Sequence, residues 1–68
     1  MFTLRIFKNI SGKQWDNGYV GSLSFRNVKR TIYFARYYTS KCDCLIKLYD
    51  NDTWLSTYRN GRDIWNIW

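Results

Sequence analysis

The stretch from Thr31 to Tyr49, TIYFARYYTSKCDCLIKLY, constrains the fold most, because it alternates with a period of two on either side of one short interruption. Ile32, Phe34, Arg36 and Tyr38 fall on one side of an extended chain, with Thr31, Tyr33, Ala35, Tyr37 and Thr39 on the other. Beyond the interruption, Cys42, Cys44, Ile46 and Leu48 share one side and Asp43, Leu45, Lys47 and Tyr49 the opposite one. Ser40 and Lys41 remain as a connection of hairpin length, without the favoured Asn-Gly pair. The expectation is a central β-hairpin.

The rest of the chain alternates in the same manner. Phe2, Leu4 and Ile6 oppose Thr3, Arg5 and Phe7, giving a strand over residues 1–8. Residues 9–18, NISGKQWDNG, carry turn residues at both ends and read as the longest loop, with Trp15 as a lid over the open end of the core. Tyr19 to Arg26 alternates again, and Gly21 within it signals a bulge or a close backbone approach. Asn27 to Arg30 turns the chain into the hairpin. A helix from Ser22 to Tyr38 is the competing reading, since Leu23, Phe25, Val28, Ile32 and Ala35 partly match a helical stripe. The density of β-branched and aromatic residues favours strands. Asp50-Asn51-Asp52 is a turn, Thr53 to Arg59 a strand, Asn60-Gly61 the strongest hairpin signal, and Asp63 to Trp68 a last apolar strand with a structural role at the C-terminal end. The whole reads as a single all-β domain over residues 1–68: an antiparallel meander of five to six strands, curled into a barrel or a strongly bent sheet. Apolar end strands favour closure or pairing across a homodimer.

A chain of 68 residues buries only roughly 60% of its unfolded surface, so a large internal pocket is not expected. Its rings number four Trp, six Tyr and four Phe, each able to bury about 150–250 Å². That exceeds what so small a core needs and leaves rings for a surface or a contact. The net charge is +6 and is unevenly spread: residues 1–41 hold every basic residue except Lys47, Arg59 and Arg62, and only one acid, Asp16. Such a balance favours nucleic acid, an anionic membrane or an acidic protein. No stretch approaches the roughly 18–20 apolar residues of a membrane span, and a secretion signal is not evident. Cys42 and Cys44 stand two apart in an expected strand, where a bond between them would be strained. They read as reduced, small buried hydrophobes in a cytoplasmic protein, the host's cytoplasm if the chain is phage-encoded. A half zinc site would need ligands from a second subunit, because the chain has no His and no further Cys.

Catalysis is a poor fit. Five Asp, mostly at turns, are the only candidate acid-base groups, the serines lack a His partner and no glycine-rich phosphate cradle exists. No catalytic residue, metal or cofactor is expected. The positive signal is basic residues interleaved with rings: one sheet face carries Arg5, Phe7, Ser22, Ser24, Arg26, Tyr33, Tyr37, Lys47 and Tyr49, while Lys29, Arg30 and Arg36, gathered with Arg26 around one end, steer and neutralise phosphate. Rings stack on bases for about 1–3 kcal/mol each while cations follow the phosphates. The expected function is a small nucleic-acid-binding protein for single-stranded DNA or RNA with weak sequence preference. The alternative is a protein-binding module of phage or mobile-element type that modulates a host protein through Trp54, Tyr58, Trp65 and Trp68, residue types that dominate binding hot spots. A cationic, Trp-rich membrane-active peptide is a third, weaker option.

Overall fold

The computed structural model describes residues 1–8 and 18–68. Most of the expected loop, with the lid assigned to Trp15, falls on residues 9–17, outside the described part. Five antiparallel strands and one helix follow in the order β1 (Phe2–Lys8), β2 (Tyr19–Phe25), α1 (Val28–Lys41), β3 (Cys44–Asp50), β4 (Thr53–Arg59) and β5 (Arg62–Asn66). They form one sheet in the order β2-β1-β3-β4-β5, with β2 and β5 at its edges. The molecule is thus mostly sheet, as the alternation requires, but the sheet is open rather than closed into a barrel.

The larger correction concerns residues 28–41. The expected first strand of the central hairpin is the 14-residue helix α1, and Ser40-Lys41 is its last turn rather than a β-turn. Asn27 caps it: the side-chain Oδ1 accepts from the backbone N–H of Lys29 at 2.9 Å and of Arg30 at 3.2 Å. Such a cap stabilises a helix by about 0.5–2 kcal/mol. Thr31, Ala35 and Thr39, spaced by four, are the residues of α1 buried against the sheet. Their small side chains let the helix approach closely, while Ile32, Phe34 and Tyr38 close the sides of the contact. The helical alternative had Val28, Ile32 and Ala35 on the correct stripe, but began too early.

Beneath the helix lie Leu4 and Ile6 of β1, Cys44, Ile46 and Leu48 of β3 and Tyr58 of β4. The pairings Leu4↔Leu48 and Ile6↔Ile46 set these side chains opposite one another on the two central strands. Each fully buried apolar chain of this size contributes about 1.5–3 kcal/mol. Thr39 ties α1 to the far hairpin, its Oγ1 donating to the Ala35 carbonyl at 2.7 Å and accepting from the Gly61 N–H at 2.9 Å.

The turns expected at residues 50–52 and 60–61 are present. Asn60 and Gly61 both have positive φ, 55° and 76°, as a two-residue hairpin loop requires, and Asn51 at φ 54° turns β3 into β4. The register shift between Ile6 and Phe7 leaves Val20 as an extra residue of β2, so the bulge signalled by Gly21 is present. No described atom approaches the space beside Gly21.

Cys42 caps the C-terminal end of α1 and is exposed, while Cys44 starts β3 and is buried, so the two do not share a strand face. Burial, then the neighbouring Cys42, pushes the Cys44 thiol up from its ordinary range and keeps it protonated. Under native conditions near neutral pH a maleimide should label one thiol, at Cys42, and in denaturant both. Mass spectrometry checks this, and rapid native labelling of both would contradict the burial of Cys44.

Candidate nucleic-acid interface

Helical geometry decides which of the expected contact residues meet. In a strand, Arg36 would point away from Tyr33 and Tyr37; at 3.6 residues per turn, Lys29, Tyr33, Arg36 and Tyr37 lie on one side, with Arg30 beside them. All five side chains are exposed, as is Arg26 just before the cap. Tyr33 and Tyr37 are 70% and 53% exposed and stack on each other, ring centroids 6.1 Å apart and planes 15° from parallel. Lys41, absent from the sequence-based set, extends the same side and holds its ammonium 5.7 Å from the Tyr37 ring. Its position four after Tyr37 would have placed it there had the segment been read as a helix.

The charge on this side is uniform. Helix α1 contains Lys29, Arg30, Arg36 and Lys41 and no acidic residue. The described ion pairs, Met1 amine to Asp50 at 3.9 Å and Arg59 to Asp43 at 2.7 Å, lie elsewhere. Lys41 in the last turn suits the helix dipole. Lys29 and Arg30 in the first turn oppose it, each misplaced charge costing about 0.3–1 kcal/mol. Stability alone would select acids at those positions. With Arg26, these cations add to the positive end of the helix and concentrate potential where an anion would dock.

Lys47 is separated from this group. It sits on β3 on the face of the sheet turned away from α1, as do Arg5, Phe7 and Tyr49. Ser22 and Ser24, opposite Arg5 and Thr3, share that face. There the Arg5 guanidinium lies 4.5 Å over the Tyr49 ring and the Lys47 ammonium 5.0 Å from both the Phe7 and Trp54 rings. Phe7 is itself buried. Tyr49, Phe7 and Trp54 thus already carry cations over their rings, as Tyr37 does under Lys41, and a base stacking on any of them would have to displace interactions worth about 0.5–1 kcal/mol each. The single mixed face expected from the sequence is therefore divided between two opposite sides of the molecule, and the helix side holds most of the expected cations, Arg26, Lys29, Arg30 and Arg36 against Arg5 and Lys47.

The Trp-rich patch expected for a protein partner is divided as well. Tyr58 is 1% exposed, within the core, where burial raises its hydroxyl pKa. Trp54 and Trp65 pair on the face away from α1, centroids 4.2 Å apart. Trp68 instead donates its Nε1–H to Ser56 Oγ at 2.6 Å, and the Ile67 N–H bonds to the Leu55 carbonyl. These bonds hold the last residues to β4 although β5 ends at Asn66.

Among the described residues, no cluster of three or more His, Cys, Asp or Glu side chains could hold a metal. No helix among them is long and apolar enough to cross a membrane. Comparisons of the chain with family models, with curated proteins and with solved structures find no match.

Proposed function

We propose that this chain is a non-enzymatic nucleic-acid-binding protein that takes single-stranded DNA or RNA with weak sequence preference on the exposed side of helix α1. The observation that carries the reading is the gathering of Lys29, Arg30, Arg36 and Lys41 with the stacked, exposed rings of Tyr33 and Tyr37 on a helix without acids. Arg26, Lys29, Arg30 and Arg36 neutralise phosphates, and Tyr33 and Tyr37 offer faces on which unpaired bases stack. Stacking tolerates any base, which is why sequence preference is weak. The same reading assigns the protein to a reducing cytoplasm, a host's if the chain is phage-borne, and treats the edges β2 and β5 as the strands through which two copies would pair.

The test is a fluorescence titration with single-stranded DNA, single-stranded RNA and duplex of equal length at two salt concentrations. With about four phosphates neutralised, single-strand affinity should fall roughly 50-fold between about 50 and about 200 mM salt. Single strands should bind more tightly than duplex. A salt-insensitive or absent affinity for every oligonucleotide would defeat the reading. It would instead favour a protein-binding module, for which the Trp54–Trp65 pair, 38% and 41% exposed, is the supporting observation.

A further inference from the structure

An open cleft of about 440 Å³ lies between the end of β2 and the first half of α1, lined by Phe25, Lys29, Arg30, Tyr33 and Phe34. Its walls are rings: Phe25 and Phe34 meet at 5.6 Å, and Phe34 stacks on Tyr38 one helical turn further on. Lys29 and Arg30 bring the charge. The helix amides nearest the cap do not supply it, because Asn27 Oδ1 already accepts from the N–H groups of both residues. An occupant must therefore be flat and apolar where it enters and anionic where it leaves, with its anion met by side chains alone.

We infer that this cleft is a base pocket: one unpaired nucleobase lies in it against Phe25, Tyr33 and Phe34, and its phosphate is held by Lys29 and Arg30. The inference rests on the nucleic-acid reading of α1 and adds to it the point at which the strand is gripped. A duplex can present a base there only after unpairing it, so the pocket supplies a structural reason for single-strand preference. The phosphates on either side of the inserted base continue toward Arg26 in one direction and Arg36 in the other.

The experiment compares an oligothymidylate with an abasic strand of the same length and charge, on the native protein and on Tyr33→Ala. Tyr33 is exposed, so its removal leaves the core intact. The native protein should bind the base-bearing strand at least about tenfold more tightly than the abasic one, the scale of one stacked base. Tyr33→Ala should reduce that preference about tenfold, leaving only what stacking on Tyr37 supplies, while binding the abasic strand as before; an undiminished preference would overturn the pocket. As a second readout, thymidine 5′-monophosphate should show upfield ring-current shifts of its base protons that deoxyribose 5-phosphate cannot mimic, with matching shifts of the Phe25 and Phe34 ring signals. Equal, tight, salt-sensitive binding of both strands would overturn the pocket and leave a purely electrostatic helix surface. Failure of both strands to bind would overturn the nucleic-acid reading itself.

Discussion

Replacing Lys29, Arg30 and Arg36 together with glutamine is expected to weaken single-stranded DNA binding roughly 100-fold at about 50 mM salt. Exposed ion pairs contribute up to about 1 kcal/mol each, and three of them account for about two orders of magnitude. The slope of log affinity against log salt should flatten by about 2, since each single-strand phosphate contact contributes about 0.7. All three side chains are exposed, glutamine is as good a helix former as lysine or arginine, and two charges that oppose the helix dipole are removed, so the thermal midpoint should stay level or rise. Lys47→Gln, on the opposite side of the sheet, is the control and should change affinity less than about twofold. If the triple variant bound as tightly as the native protein with the same salt slope, helix α1 would not be the contact surface.

The second large effect concerns the fold. Ala35→Arg should unfold the domain, while Arg36→Ala, one position along, should leave its stability within about 0.5 kcal/mol of native. Ala35 has no exposed surface and belongs to the same buried cluster as Leu4, Ile6, Ile46 and Leu48 of the sheet. A guanidinium there has no room and no acidic partner, and the cost of burying it unpaired, above about 4 kcal/mol, approaches the whole stability of a domain this small. In the strand reading of this segment, Ala35 shares the outward side with Tyr33 and Tyr37 and tolerates a polar replacement. Circular dichroism of the two variants distinguishes the arrangements: a folded Ala35→Arg protein would contradict the packing described above.

This pair of positions also shows what the sequence made legible. Where a segment is half-buried in a sheet, alternation is imposed by the pleat. Residues 2–8, 19–25 and 53–59 accordingly read as strands close to their observed bounds, and residues 42–49 as a strand that is observed at Cys44–Asp50. The segment 28–41 alternates for a different reason. Its rings and cations fall into short runs that satisfy a period of two by accident, and Ile32, Tyr33, Phe34, Tyr37 and Tyr38 carry strand propensities that tertiary packing overrides. The decisive signals were Asn27 as a cap, Thr31, Ala35 and Thr39 at intervals of four, and Lys41 at the end of the run. None is a large apolar residue, so a search for hydrophobic stripes gives them little weight. The candidate contact residues were legible as a cluster because they are close in sequence. Their common face was not, since it exists only once the chain coils, and Lys47, close to them only in the hairpin reading, ended on the other side.

The sheet order carries one more consequence, for synthesis. Strand β1 leaves the ribosome first yet lies between β2 and β3, and β3 begins only after the whole of α1 has been made. A nascent chain carrying β1, β2 and the helix therefore exposes the backbone edge that β3 will occupy, and the ring-rich helix has only part of its floor. Closing that gap requires a contact between distant parts of the chain, the kind that slows folding. The interval before β3 emerges is when this protein is most open to mispairing, and a chain stalled with residue 41 just clear of the ribosome's exit tunnel should be cut readily by proteases, whereas one stalled with residue 68 clear of it should not.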